Sequence, residues 1–267
     1  MRTGRTGTAA ALAGALALVA FASPAAEAAD TGITVSHLVV NNGRPVIVGT
    51  TAEVTPDFTF HKYWSSNTAL GDVETTPFLY HDTTAAKGAE DGGIWTSSVT
   101  CYEDGTHAAD CDGELYIEPR YRLDSNNDAT TWKIAVSARI WGSNGQPKSS
   151  EYLTGFGTVQ VKRAARVTAN ATPEPVAKGK KMTVTGKVTR ADWVKHAYVG
   201  FGGKSAKLQF RKAGSSTYTT VKIVKADSAG NLRTTVTASA DGTWRWTFGE
   251  TSTTGGATST GDYVDVK

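Results

Sequence analysis

Alternation of apolar and polar positions is the strongest signal in the chain, and it is clearest in the closing run Asp241-Gly-Thr-Trp-Arg-Trp-Thr-Phe-Gly249. Trp244, Trp246 and Phe248 fall on one face of a strand, with Arg245 and Thr247 on the other. Three large rings on one face predict a core, since such surfaces demand burial. The same period of two runs through Met182, Val184 and Val188, then Leu208 and Phe210, Val221 and Ile223, and Leu232 and Val236. Ala213-Gly-Ser-Ser216 and Asp227-Ser-Ala-Gly-Asn231 supply hairpin connections. Pro173 and Pro175 suit a sheet edge, because neither can donate to a central ladder. Short β-branched strands with regular polar turns predict a β-sandwich over residues 164–267.

The preceding half carries the pattern more loosely. Ile33-Thr-Val-Ser-His-Leu-Val-Val40 reads as a strand closed by Asn41-Asn42-Gly43, and Pro45 to Thr50 as a second apolar run. Phe58 and Phe60, joined by Lys62 or Trp64, share one face of a third strand, opposite Thr59, His61 and Tyr63. Residues 65–77 and 82–93 lack periodicity and read as loops. Strands are expected again over Ile94–Cys101, Glu114–Leu123, Trp132–Ile140 and Phe156–Val161. Nothing sustains a helical period, so this half also reads as β. Val159-Gln-Val-Lys162 and Val264-Asp-Val-Lys267 close the two halves alike.

The first residues read differently. Arg2 and Arg5 precede an apolar run from Ala9 to Ala22, and Ala26-Glu27-Ala28 has the small-x-small form of a cleavage site. That arrangement predicts a signal peptide over 1–28, with a mature chain that is exported and not inserted in a membrane. Export places Cys101 and Cys111 in an oxidising compartment, where they should pair. Residues 29–163 hold 10 Lys and Arg against 17 Asp and Glu, net −7, whereas residues 164–267 hold 16 against 7, net +9. An acidic module beside a basic one can dock internally, or the basic one can lie on an anionic surface.

With these residues assembled, the second module resembles a bacterial immunoglobulin-like domain. Pro175-Val-Ala-Lys-Gly-Lys-Lys-Met-Thr-Val-Thr-Gly186, Lys207-Leu-Gln-Phe210, Asp227-Ser-Ala-Gly230 and Gly261-Asp-Tyr-Val-Asp-Val266 carry the likeness. The whole chain is similar to secreted actinobacterial proteins of two such modules, a family of undetermined function. The resemblance implies a fold and an extracellular location and brings no catalytic residues.

Catalytic motifs are missing from the sequence. The five histidines (37, 61, 81, 107 and 196) form no His-Glu-x-x-His and no close pair along the chain. Gly-x-Ser-x-Gly and a phosphate-binding glycine loop are absent too. Two other constellations stand out. Asp124, Asn126 and Asp128 offer oxygen ligands at alternate positions for Ca²⁺, although Ala129 and Ala135 occupy positions where an EF-hand needs Gly and Glu. Glu103, Asp104, Asp110, Asp112 and Glu114 crowd the disulfide loop, where a cation would relieve their repulsion. The segment 190–203 places Trp193, Lys195, His196, Tyr198 and Phe201 together, a candidate ligand loop of the kind sandwiches carry at their ends.

The expectation is an all-β chain of two immunoglobulin-like sandwiches in tandem, residues 29–163 acidic and 164–267 basic, with one disulfide. It is a secreted or wall-associated binding protein rather than an enzyme. Its partner is an anionic cell-wall polymer, polysaccharide or surface protein, with nucleic acid disfavoured for lack of a reading motif. A calcium-binding protein of the same architecture is the second reading, and a secreted hydrolase with an unrecognised site the third.

Overall fold

The structure is a computed structural model that describes residues 30–65 and 67–267. The expected signal peptide and its cleavage site lie outside the described residues. The strands of the first half are β1 (Ile33–Val40), β2 (Val46–Val48), β3 (Asp57–Trp64), β4 (Val73–Tyr80), β5 (Ile94–Glu103), β6 (Ala108–Leu115), β7 (Thr131–Trp141), β8 (Pro147–Leu153) and β9 (Thr158–Arg163). They pair in the order β1-β3-β6-β5-β4-β7-β9-β2, with β8 also on β7. The path folds over where β5 leaves β4, for these two pair only at Phe78 with Trp95 and Leu79 with Ile94. Inward residues of both resulting layers, among them Phe58, Phe60, Leu115, Ile134, Val136 and Val161, share one buried core.

Three expectations for this half are corrected. Residues 73–77 are not loop but the start of β4, which pairs along its length with β7. Pro77 had masked it; the proline is tolerated because β4 has already separated from β5 at that point and the edge is open. Residues 114–123 do not form one strand: β6 ends at Leu115, and the short helix α2 (Pro119–Arg122) follows, started by Pro119 and capped by the Glu118 side chain. Another short helix, α1 (Ala85–Glu90), with Thr84 as its cap, occupies part of the second expected loop.

The second half forms two facing sheets. Strands β10 (Ala165–Thr172), β11 (Lys181–Asp192), β12 (Ala197–Gly200) and β15 (Asn231–Thr237) make one. Strands β13 (Ser205–Lys212), β14 (Thr219–Lys225), β16 (Gly242–Phe248), β17 (Ala257–Thr258) and β18 (Asp262–Val264) make the other. Trp244, Trp246 and Phe248 are buried in the core between them, as their alternation predicts. The Trp246 indole donates to the Thr185 carbonyl at 3.0 Å, so the large ring buries no orphaned N–H. It can approach β11 this closely because Gly186 is there: a Cβ at that position would stand 2.7 Å from the ring.

Cys101 and Cys111 face each other across β5 and β6 and are disulfide-bonded. Closing so short a loop contributes roughly 2–3 kcal/mol in the chain-entropy model. Replacing both cysteines by alanine should lower the unfolding free energy by about that amount in urea titrations. An unchanged midpoint would show that the hairpin stays closed in the unfolded ensemble without its tie.

Candidate functional site

The segment expected to form an exposed ligand loop does something else. Trp193 is fully buried, and it belongs to the core of the first sandwich although β11 of the second delivers it. Its indole N–H donates to the Gly49 carbonyl at 2.8 Å, and its backbone N–H donates to the Asn126 side chain at 3.0 Å. The correction has a simple cause: an indole at the tip of one sandwich gains more by filling a hollow in its neighbour than by standing in water. Phe201 is buried in the second core, covered by the Arg190 guanidinium 4.2 Å from its ring centre. Tyr198 is half-buried under Arg166, at 3.7 Å. Only Lys195 and His196 of the five remain exposed.

Around Trp193 the junction is dense. One residue, Ala164, separates β9 from β10, and its N–H donates to the Val48 carbonyl. Arg163 is buried; its Nε donates to the Ala191 carbonyl, while its backbone exchanges bonds with Thr253 and Gly255. Burial, with Arg190 nearby, pushes the Arg163 guanidinium down to about 10. Lys162 pairs with Glu250 at 3.2 Å. Asp192 accepts from the Asn126 amide at 3.1 Å and from the Lys195 N–H at 3.0 Å. Burial pushes the Asp192 carboxyl up, but these bonds and the Arg163 charge outweigh it and leave the group below its ordinary range.

The alternate oxygens at 124–128 are divided by the same junction. Asn126 serves Asp192 and Trp193, as described. Asp128 is buried and accepts from the Ser125 N–H at 3.0 Å in a capping box. Burial pushes its carboxyl above the usual range, with the Ser125 bond and His81 opposing. Its Oδ1 lies 3.6 Å from Nε2 of His81, whose Nδ1 meets Asp82 at 2.8 Å and whose ring rests on Trp132. Asp124 lines the adjacent hollow of ≈ 260 Å³ with Tyr121 and Arg122. Asn126 is thus engaged by Asp192 and Trp193, while Asp124 and Asp128 line the same hollow.

A larger surface emerges on the outside of the β14-β13-β16 sheet. Because Ala206, Leu208 and Phe210 turn inward, Lys207, Gln209 and Arg211 turn outward, beside Thr243, Arg245 and Thr247 of β16. The Tyr218 ring lies under Arg245, whose guanidinium is 3.5 Å from the ring centre, with that of Arg211 at 5.1 Å. Arg245 is held from the side by Gln209, its Nε donating to Oε1 at 2.8 Å. Tyr263, paired with Thr243, is half-exposed at the margin, and Ile223 and Lys225 extend the face on β14. The charged residues at the outward strand positions of β13, β14 and β16, namely Lys207, Arg211, Lys225 and Arg245, are basic, with Asp265 beyond the end of β18. Sequence alternation had placed Arg245 outside but not joined it to Tyr218, which sits in a connection; only the fold brings that ring back over the strand.

No protein-family profile matches the chain, and no curated protein matches its sequence. No helix among the described residues is long and apolar enough to cross a membrane. Among solved structures, the full ectodomain (Ig1–Ig3) of mouse nectin-like molecule 4 aligns with 14% identity over 88% of this chain and 64% of that one, at a TM-score of 0.24. The chain therefore spans less than two thirds of that ectodomain. A marsupial T cell receptor aligns with 8% identity over 88% of this chain and 73% of that one, at 0.37. The D00-D0 domain of intimin aligns with 12% identity over 87% and 98%, at 0.28. By its own strand pairing, this chain is an all-β protein of two β-sandwiches in tandem with one disulfide.

Proposed function

We propose that the protein is a secreted, non-catalytic binding module that attaches to an anionic polymer of the cell wall through the outer face of its second sandwich. The observation that carries this reading is the guanidinium–tyrosine stack of Arg211, Tyr218 and Arg245 on a sheet face whose charged strand residues are all basic. Stacking holds the guanidinium planes flat and leaves N–H groups directed along the surface, an arrangement suited to phosphate or carboxylate oxygens. The neighbouring tyrosines add amphipathic area against which a sugar backbone can rest. The acidic first sandwich contributes by opposing the wrong orientation on a negatively charged wall.

The test uses the full chain, because Trp193 makes the second sandwich depend on the first. The wild type should bind purified, protein-free cell wall and release as salt rises from about 0.1 M to 1 M, over which the Debye length falls from ~10 Å to ~3 Å. Wall stripped of its anionic polymer should bind poorly. The double variant R211E/R245E should lose at least about tenfold in affinity, the equivalent of ~1.4 kcal/mol. Salt-insensitive binding, or a double variant that binds as the wild type does, would overturn the reading.

A further inference from the structure

A separate cluster lies on the outer face of the first sandwich, remote in sequence from the junction. On β3, Phe58, Phe60, Lys62 and Trp64 point inward, so His61 and Tyr63 point outward. The antiparallel register then sets His61 opposite Asp110 of β6. Asp104 follows β5 directly, and the disulfide ties this hairpin so that Asp104 and Asp110 return to the same place. The result is convergence on one atom. His61 Nδ1 lies 2.6 Å from Asp110 Oδ1 and 4.0 Å from Asp104 Oδ2.

These three ligand atoms all fall within 4.8 Å of one another, and no other His, Cys, Asp or Glu triple among the described residues does so. The imidazole is fixed: its side chain is 13% exposed, its ring packs on Tyr63 at 4.4 Å, and its Nε2 is buried without a partner. Nδ1 is therefore the nitrogen presented to the open hollow of ≈ 540 Å³ that His37, Thr59 and Asp112 also line. A single N–H can serve one of the two carboxylates.

We propose that His61, Asp104 and Asp110 form a surface site for a first-row divalent cation of the Zn²⁺ class, with open positions toward the hollow. An imidazole nitrogen with two carboxylates suits a borderline ion rather than Ca²⁺, which takes oxygen ligands. Tetrahedral zinc–ligand bonds of about 2.0–2.2 Å separate neighbouring ligand atoms by roughly 3.3–3.6 Å. Asp110 must withdraw by roughly 0.7–1 Å and Asp104 close by about half an ångström. Both side chains are about two-thirds exposed, 68% and 65%, and free to make that adjustment. The fixed imidazole needs none. This site is independent of the wall-binding face.

Calorimetry with ZnCl₂ on the full chain tests the site, with Co²⁺ absorption reporting ligand geometry. One equivalent should bind, with a d–d spectrum of low coordination number. D104N and D110N should each weaken binding at least tenfold, and H61A should abolish it. D124N removes the same charge from the other acidic hollow and should bind as the wild type does. Because Asp104 and Asp110 are exposed, unchanged melting curves for their variants separate ligand loss from unfolding. Absence of zinc binding by the wild type, or undiminished binding by D104N and D110N, would overturn the proposal, as would an equal loss in D124N.

Discussion

Trp193→Ala should destabilise the protein by about 3–5 kcal/mol, the range for truncating a buried tryptophan. It should also break one unfolding transition into two. Trp193 is the large side chain of the second sandwich that is fully buried in the core of the first, with Tyr198 packed partly buried against the same core. Its removal leaves a cavity and unpairs the Gly49 carbonyl. The remaining junction contacts are the small Ala191, the partly buried Tyr198, hydrogen bonds and one ion pair, Lys162 with Glu250, whose carboxylate side is 63% exposed. Urea titrations followed by tryptophan fluorescence and by far-ultraviolet circular dichroism would coincide for the wild type and diverge for W193A. Coincident curves in the variant would show that Arg163 and the backbone ladder couple the sandwiches on their own.

Asn126→Ala probes the same junction and the calcium expectation together. It leaves the Trp193 N–H and one Asp192 bond unpaired, at a cost of about 1–3 kcal/mol. That cost should be the same in chelator and in millimolar calcium. A larger cost in calcium would return Asn126 to a metal-ligand set.

Lys62→Met should stabilise the protein at neutral pH by about 1–3 kcal/mol, as replacing a buried charge with an apolar group of similar shape often does. Lys62 is 2% exposed, pointing into the sandwich from β3, and its ammonium donates to the Val73 carbonyl at 2.7 Å. Burial pushes the ammonium down to about 8, and the charge of Glu74 opposes this only in part. The unfolded chain therefore binds this proton more tightly than the folded one between pH 8 and 10.5. Stability attributable to Lys62 rises with pH across that window, and the full cost of the buried charge is present below it. The gain in K62M over wild type should accordingly be greatest at pH 7 and shrink toward pH 10. Loss of the Val73 bond opposes the gain by about 1 kcal/mol. A variant less stable than wild type at pH 7, with no pH dependence in the difference, would show that the hydrogen bond outweighs the desolvation.

Lys62 also shows how far reading the chain can go. Alternation from Phe58 put position 62 on the inner face, and the structure agrees. What a lysine does there could not be read, because its partner, Val73, belongs to a strand that Pro77 disguised as loop. The closing run from Asp241 to Gly249 was legible in full, since three aromatic rings at period two have one economical place to go. The disulfide was legible from compartment and count, and the register of β5 and β6 bears it out.

The candidate sites were less legible, for one recurring reason. Trp193 looked like a ligand-loop residue because nearby glycines, charges and aromatics are common to binding loops and to docking loops. His61 looked isolated because its neighbours, Asp104 and Asp110, are more than forty residues away in the chain and meet it only through strand register. Tyr218 could not be joined to Arg211 and Arg245 while the path of its connection was unknown.

By itself, then, the sequence determined what local periodicity and composition control: the all-β class, the aromatic core of the second sandwich, the disulfide and the opposite charges of the two halves. The tertiary structure decided which surfaces remain for partners. Burial of a side chain and convergence of charged groups depend on elements distant in the chain, and no local pattern encodes those distances. That is why Trp193 moved from the surface to the junction, while a basic sheet face and a histidine–aspartate cluster came forward in its place.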